Sequence, residues 1–182
     1  MLIYYNEELT FNQFIQYIII NNEQKKGYIL ISDERLYNEK LKLDRQPVNI
    51  IKNIYNFQLV LIESWKEMYQ LLDIIDTDSF IGIYGIFKHF IEDGMNDHHE
   101  FVKYYEFCGY ELNKLFHKLF KKHIDLGVKV IVNDSIGNNE DNEPLIWNFH
   151  IPNIRKEQEL KPDDFEISLR VLFIKWFELI QS

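Results

Sequence analysis

Apolar positions along this chain follow two alternating rhythms, short unbroken runs and a three-to-four-residue spacing, and the alternation predicts strands interleaved with helices. Leu2, Ile3, Tyr4 and Tyr5 form the first run. Thr10 and Gln13 then stand at the S/T-x-x-E/Q spacing of a capping box, and Phe11, Phe14, Ile15, Ile18 and Ile19 occupy one face of the helix it opens. After Gly27, the run Tyr28, Ile29, Leu30, Ile31 reads as a buried strand closed by the turn formers Ser32 and Asp33. Pro47 suits the first turn of a short helix, and 57–62 reads as another buried strand. Ser64 and Glu67 repeat the capping spacing, and Trp65, Met68 and Leu72 stripe a helix reaching about residue 75.

The second half is longer in period. Segment 79–93 carries both rhythms: Phe80, Ile83, Phe87 and Ile91 are spaced for a helix, whereas Ile81, Ile83, Gly82 and Gly85 suit a strand. The spacing favours a helix stopped by Gly94. Asp97 and Glu100 can cap the next element, in which Phe101, Tyr105, Cys108, Leu112, Leu115 and Leu119 step by 4, 3, 4, 3 and 4. That is a long amphipathic helix running to about residue 124 and ended by Gly127. Segments 128–132 and 145–151 read as two strands joined by an acidic loop into an antiparallel hairpin. A last helix starts near Pro162 with Phe165, Leu169, Leu172, Trp176 and Leu179 as its stripe. Its apolar stretch Val171, Leu172, Phe173, Ile174 predicts burial on more than one side, and Glu166 with Arg170 forms an i, i+4 pair worth about 0.3 kcal/mol. The expected architecture is a single α/β domain over 1–182: a mixed sheet of about four or five strands covered by helices, with a C-terminal β-hairpin and a final helix.

Composition narrows the setting. Isoleucine occurs 26 times, lysine 16 and arginine 4, and alanine never. Ala is the best helix former, so folding physics does not exclude it. Its codons are GC-rich, and its absence points to an AT-rich coding genome, as in a low-GC bacterium, a phage or a large DNA virus. Codon bias also weakens what any single Lys, Asn or Tyr says about function. With 46% hydrophobic residues and four prolines, the chain can offset its conformational entropy by burial. The single Cys108 excludes an intramolecular disulfide, no N-terminal run resembles a secretory signal, and no stretch approaches the roughly 18 apolar residues of a membrane span. The expected compartment is the cytoplasm.

Charge and chemistry give several candidates. A net charge of −9 opposes direct nucleic-acid binding, which needs clustered Lys and Arg against phosphates, and favours capture of a basic protein. Glu92, Asp93, Asp97, His98, His99 and Glu100 crowd one helix junction. Adjacent histidines on a helix point about 100° apart, so a metal site would need Asp97 and His99 to meet a distant partner such as His150. His89, His117, His123 and His150 could serve acid–base catalysis, but no G-x-S-x-G elbow, nucleotide-binding glycine fingerprint or Walker loop accompanies them. Lys114, Lys118, Lys121 and Lys122 form a basic stripe expected to be a solvated helix back.

Residues 133–166 hold nine Asp and Glu against three Lys and Arg. Glu140, Asp141 and Glu143 lie in the expected hairpin loop, and Asp163 and Asp164 at the entry to the last helix. The expected function is a non-enzymatic inhibitor of a basic, nucleic-acid-acting enzyme, either an immunity protein or a phage anti-defence protein, with these five acids capturing the partner and no cofactor. A hydrolase or nuclease built on Asp97, His99 and His150, and a structural or regulatory subunit, are the alternatives.

Overall fold

The computed structural model describes residues 2–5, 9–22, 26–38, 52–75, 79–85, 101–133, 150–152 and 166–180. The chain opens with β1 (Leu2–Tyr5), α1 (Phe11–Asn21), β2 (Gly27–Ile31) and the single-turn α2 (Glu34–Asn38). It continues through β3 (Phe57–Leu61), α3 (Trp65–Ile74), β4 (Phe80–Tyr84), α4 (Phe101–Leu126) and β5 (Lys129–Asn133). It ends with β6 (His150–Pro152), β7 (Glu166–Ser168), α5 (Leu169–Trp176) and β8 (Glu178–Ile180). The capping box at Thr10 forms as its spacing predicts, Ser64 caps α3, and Gly127 ends α4 at φ +67°. None of the described helices is long and apolar enough to cross a membrane.

Six strands form one parallel sheet in the order β3-β2-β4-β5-β1-β8, and β6 and β7 pair antiparallel as a second, two-stranded sheet. Alternation along the strands sends Ile3, Ile29, Ile31, Tyr84 and Ile131 to the face covered by α1. It sends Tyr4, Leu30, Ile83, Val130 and Val132 to the other face, under Met68 and Leu72 of α3, Leu115 and Phe116 of α4, and Phe173 of α5. Phe116, Phe173 and Phe177 stack edge-on and face-on at 4.8–5.4 Å between ring centres and anchor this second layer. Helices on both faces are what a parallel sheet requires, because neither face can be left wet.

The layered α/β class stands, with corrections of detail. The sheet is parallel rather than mixed, and it has six strands among the described residues. Residues 80–84 are a strand, not part of a helix. β4 lies between β2 and β5, so all five of its residues are buried, and a central parallel strand needs an unbroken apolar run that period alone does not separate from a buried helix. The expected hairpin partner of 128–132 is also wrong: both edges of β5 are occupied by β4 and β1, and β6 pairs with β7 instead. The last helix is shortened at both ends, since 166–168 and 178–180 are strands, and Val171 and Ile174 are 55% and 56% exposed rather than buried all round. β3, expected to be buried, is an edge strand with Gln58 exposed. The start of the short helix expected at Pro47 lies outside the described residues, and 52–54 are helical.

Candidate binding site

The two central neighbours β2 and β4 send the chain to opposite faces. From β2 it turns into α2, whose Leu36 packs on the α1 side, and after β4 it reaches α4 on the other side. Such a reversal opens a crevice outside the carboxyl ends of the strands, where ligands of open α/β sheets bind. Helix N-termini meet at this edge, and in many proteins their free amides hold a phosphate.

Here those amides are satisfied from within. Gln13 N donates to Thr10 Oγ1 at 3.3 Å and Thr10 N to Gln13 Oε1 at 2.9 Å. Arg35 N and Leu36 N donate to Asp33 Oδ1 at 2.8 and 3.4 Å. Glu67 N donates to Ser64 Oγ at 3.2 Å, and Glu63 N to Glu67 Oε2 at 2.8 Å. Asp33, Glu34, Glu63 and Glu67 therefore set negative charge against the positive helix ends. Arg35 and Lys66 stand in the same first turns, so the described acids at this edge outnumber the bases four to two.

Ser32 and Gly85 lie next to each other in the crevice. The β2–β4 register ends with Ile31 opposite Tyr84, and Ser32 N donates to the Tyr84 carbonyl at 3.3 Å. Gly85 N donates to the Asn133 carbonyl at 3.0 Å, tying the end of β4 to β5. The Ser32 hydroxyl is buried with no hydrogen-bond partner among the described residues, which costs about 1–3 kcal/mol when nothing else fills the need. Tyr84 is fixed from the other face: its hydroxyl donates to the Leu9 carbonyl at 2.8 Å, and its ring packs on Phe11 and Phe14 at 5.3 Å.

A second concavity, of about 510 Å³, lies between α3 and α4 and is lined by Tyr69, Asp73, His117, Lys118 and Lys121 among others. Its central cation is already engaged. Lys118 Nζ donates to the Tyr69 carbonyl at 2.6 Å, pairs with Asp73 at 2.8 Å and lies 3.7 Å from the Tyr69 ring centre. Lys122 Nζ donates to the Ile75 carbonyl at 3.1 Å. The basic stripe expected to be a solvated helix back is thus partly a clamp, with Lys118 and Lys122 holding α4 to the end of α3.

Glu140, Asp141, Glu143, Asp163, Asp164, Asp97 and His99 all lie outside the described residues, as do His89 and the acids around 92–100. His150 begins β6 opposite Ser168. His117 sits edge-on to Trp176 at 5.5 Å, and His123 Nδ1 lies 2.8 Å from the Val128 carbonyl. Among the described residues no group of three or more His, Cys, Asp or Glu side chains could hold a metal ion. Sequence reasoning read Ser32 only as a turn former and Gly85 only as part of an ambiguous segment; a Ser-Asp pair directly after a buried apolar run was the signal available. No protein-family model matches the chain, and no curated protein matches it.

Proposed function

We propose that this protein is a non-enzymatic cytoplasmic binding protein that neutralises a basic protein partner, taking the partner's cationic groups at the carboxyl edge of its parallel sheet. The observation that carries this reading is the internal capping of that edge. With the amides of Gln13, Arg35, Leu36 and Glu67 already bonded to the side chains of Thr10, Asp33 and Ser64, and Glu34, Glu63 and Glu67 beside them, the crevice that usually holds a phosphate favours positive charge instead. The net charge of −9 extends the attraction beyond contact distance and speeds encounter with a basic surface. Glu140, Asp141, Glu143, Asp163 and Asp164 contribute to that net charge. An immunity protein against a nuclease, or a phage protein directed at a nucleic-acid-binding defence effector, has this chemistry.

The test is affinity capture from host lysate at low and moderate salt, comparing the native chain with a Glu34→Lys, Glu63→Lys variant shown to fold by its unfolding midpoint. One basic protein held stoichiometrically, released by salt and lost in the variant, is the expected result. Recovery of the bait alone, or equal retention by the variant, overturns the proposal.

A further inference from the structure

We infer that the concavity between α3 and α4 is a binding site for a small phosphate-bearing molecule, held by Lys118, Lys121 and Lys122. The site is separate from the carboxyl edge: the helix ends that line it lead into β4 and β5, so it lies toward the amino ends of the strands. Its volume of about 510 Å³ falls within the range of small-molecule sites. Residues 118, 121 and 122 stand at i, i+3 and i+4 on α4, so one helix brings all three side chains to the same hollow.

Two of these lysines are set in place before a ligand arrives. Lys118 Nζ donates to the Tyr69 carbonyl at 2.6 Å and Lys122 Nζ to the Ile75 carbonyl at 3.1 Å, so ordering them belongs to folding and is not a cost of binding. An ammonium carries three donors, and the carbonyl takes one from each. Lys121 is exposed and has no bonded partner among the described residues. Asp73 and Asp125 also line the hollow, leaving three lysines to two acids. Asp73 is 68% exposed, and at 2.8 Å from Lys118 it holds the position that an incoming phosphate oxygen would take. Charges beyond about 8 Å are screened at physiological ionic strength, so the near lysines outweigh the net −9 of the whole chain here. Phosphate suits these donors better than carboxylate does. It offers tetrahedrally placed oxygens to point donors reaching from separate directions, whereas a planar carboxylate is matched by the fork of an arginine, and no arginine is among the described residues that line the hollow.

The experiment titrates the full chain with pyrophosphate, inorganic phosphate and citrate by calorimetry at fixed ionic strength. It compares the native chain with Lys121→Gln, Lys122→Gln, Asp73→Asn and the control Lys66→Gln, which makes the same charge change at the other end of α3. Pyrophosphate is expected to bind most tightly of the three and to weaken at least about threefold in Lys121→Gln and in Lys122→Gln, each having lost one charge-assisted hydrogen bond. It should bind more tightly to Asp73→Asn, where a competing carboxylate is gone, and equally to Lys66→Gln. Lys121 is exposed, so the Tm of Lys121→Gln without ligand should match the native value, which separates lost binding from lost folding. Absence of pyrophosphate binding, unchanged binding in both Lys121→Gln and Lys122→Gln, or an equal loss in Lys66→Gln overturns the site. Citrate binding more tightly than pyrophosphate overturns the assignment of phosphate as its ligand.

Discussion

The ammonium of Lys118 donates to the main-chain carbonyl of Tyr69 at 2.6 Å while lying 3.7 Å from the centre of the same residue's ring. One side chain of α4 thereby reads both the backbone and the side chain of one residue of α3, and Asp73, one turn later, completes its set of partners at 2.8 Å. The clamp crosses an interface in which α3 fully buries Met68 and Leu72, with Trp65, Tyr69 and Leu71 partly buried beside them.

Replacing Lys118 with Met should therefore destabilise the fold by about 1–2 kcal/mol, since it leaves the stem but removes a hydrogen bond and a cation–π contact. Asp73 is largely exposed and adds little of this. Urea unfolding of Lys118→Met, Tyr69→Leu and the double variant checks it. Strict additivity would show that the two side chains do not interact, leaving only the carbonyl bond.

Gly82 sits where α1 touches the sheet, and a Cβ there would overlap Ile18 Cδ1 and lie 3.5 Å from the Phe14 ring. Gly82→Ala is expected to cost about 1–3 kcal/mol by overpacking. Ile18→Val removes the overlapping methyl and should recover part of the loss. A double variant no more stable than the sum of the single effects would refute this account.

Phe116 is fully buried and meets both Phe173 and Phe177 edge-on at 4.8 Å. Truncation to Ala should cost about 3–5 kcal/mol. Because it removes the support of α5, β8 should lose protection first in hydrogen exchange, ahead of β2 and β4. Uniform loss across the sheet would show instead that α5 and β8 unfold only with the whole domain.

At the edge itself, Thr10→Ala removes the cap of α1 and should lower stability by about 1 kcal/mol. Inorganic phosphate should give the variant no more protection than it gives the native chain, because freeing one amide does not offset a net charge of −9. A phosphate-dependent rise in Tm specific to Thr10→Ala would show that capping alone had kept anions out.

Where local chemistry decides, the sequence was readable. Thr10 with Gln13, Ser64 with Glu67, Gly127, and the stripe of Leu112, Leu115 and Leu119 each specify an element through contacts within one or two turns. The run Phe80, Ile81, Gly82, Ile83, Tyr84 was not readable in this way, because what makes it a strand is having β2 on one side and β5 on the other. The hairpin failed for the same reason: the 128–132 segment was matched with its nearest apolar neighbour, but β5 had both edges filled by strands distant in sequence.

The sequence alone determined the α/β class, the caps that close the helix starts and the acidic balance, since each follows from spacing or from a sum over residues. Only the tertiary structure decided that the sheet is parallel and that Lys118 is a clamp. It also decided that Ser32 meets Gly85 at a reversal of the chain, its hydroxyl without a hydrogen-bond partner among the described residues. Those are facts of register and of which edge is already occupied. They come from burying all strands at once, a condition that no local pattern of residues contains.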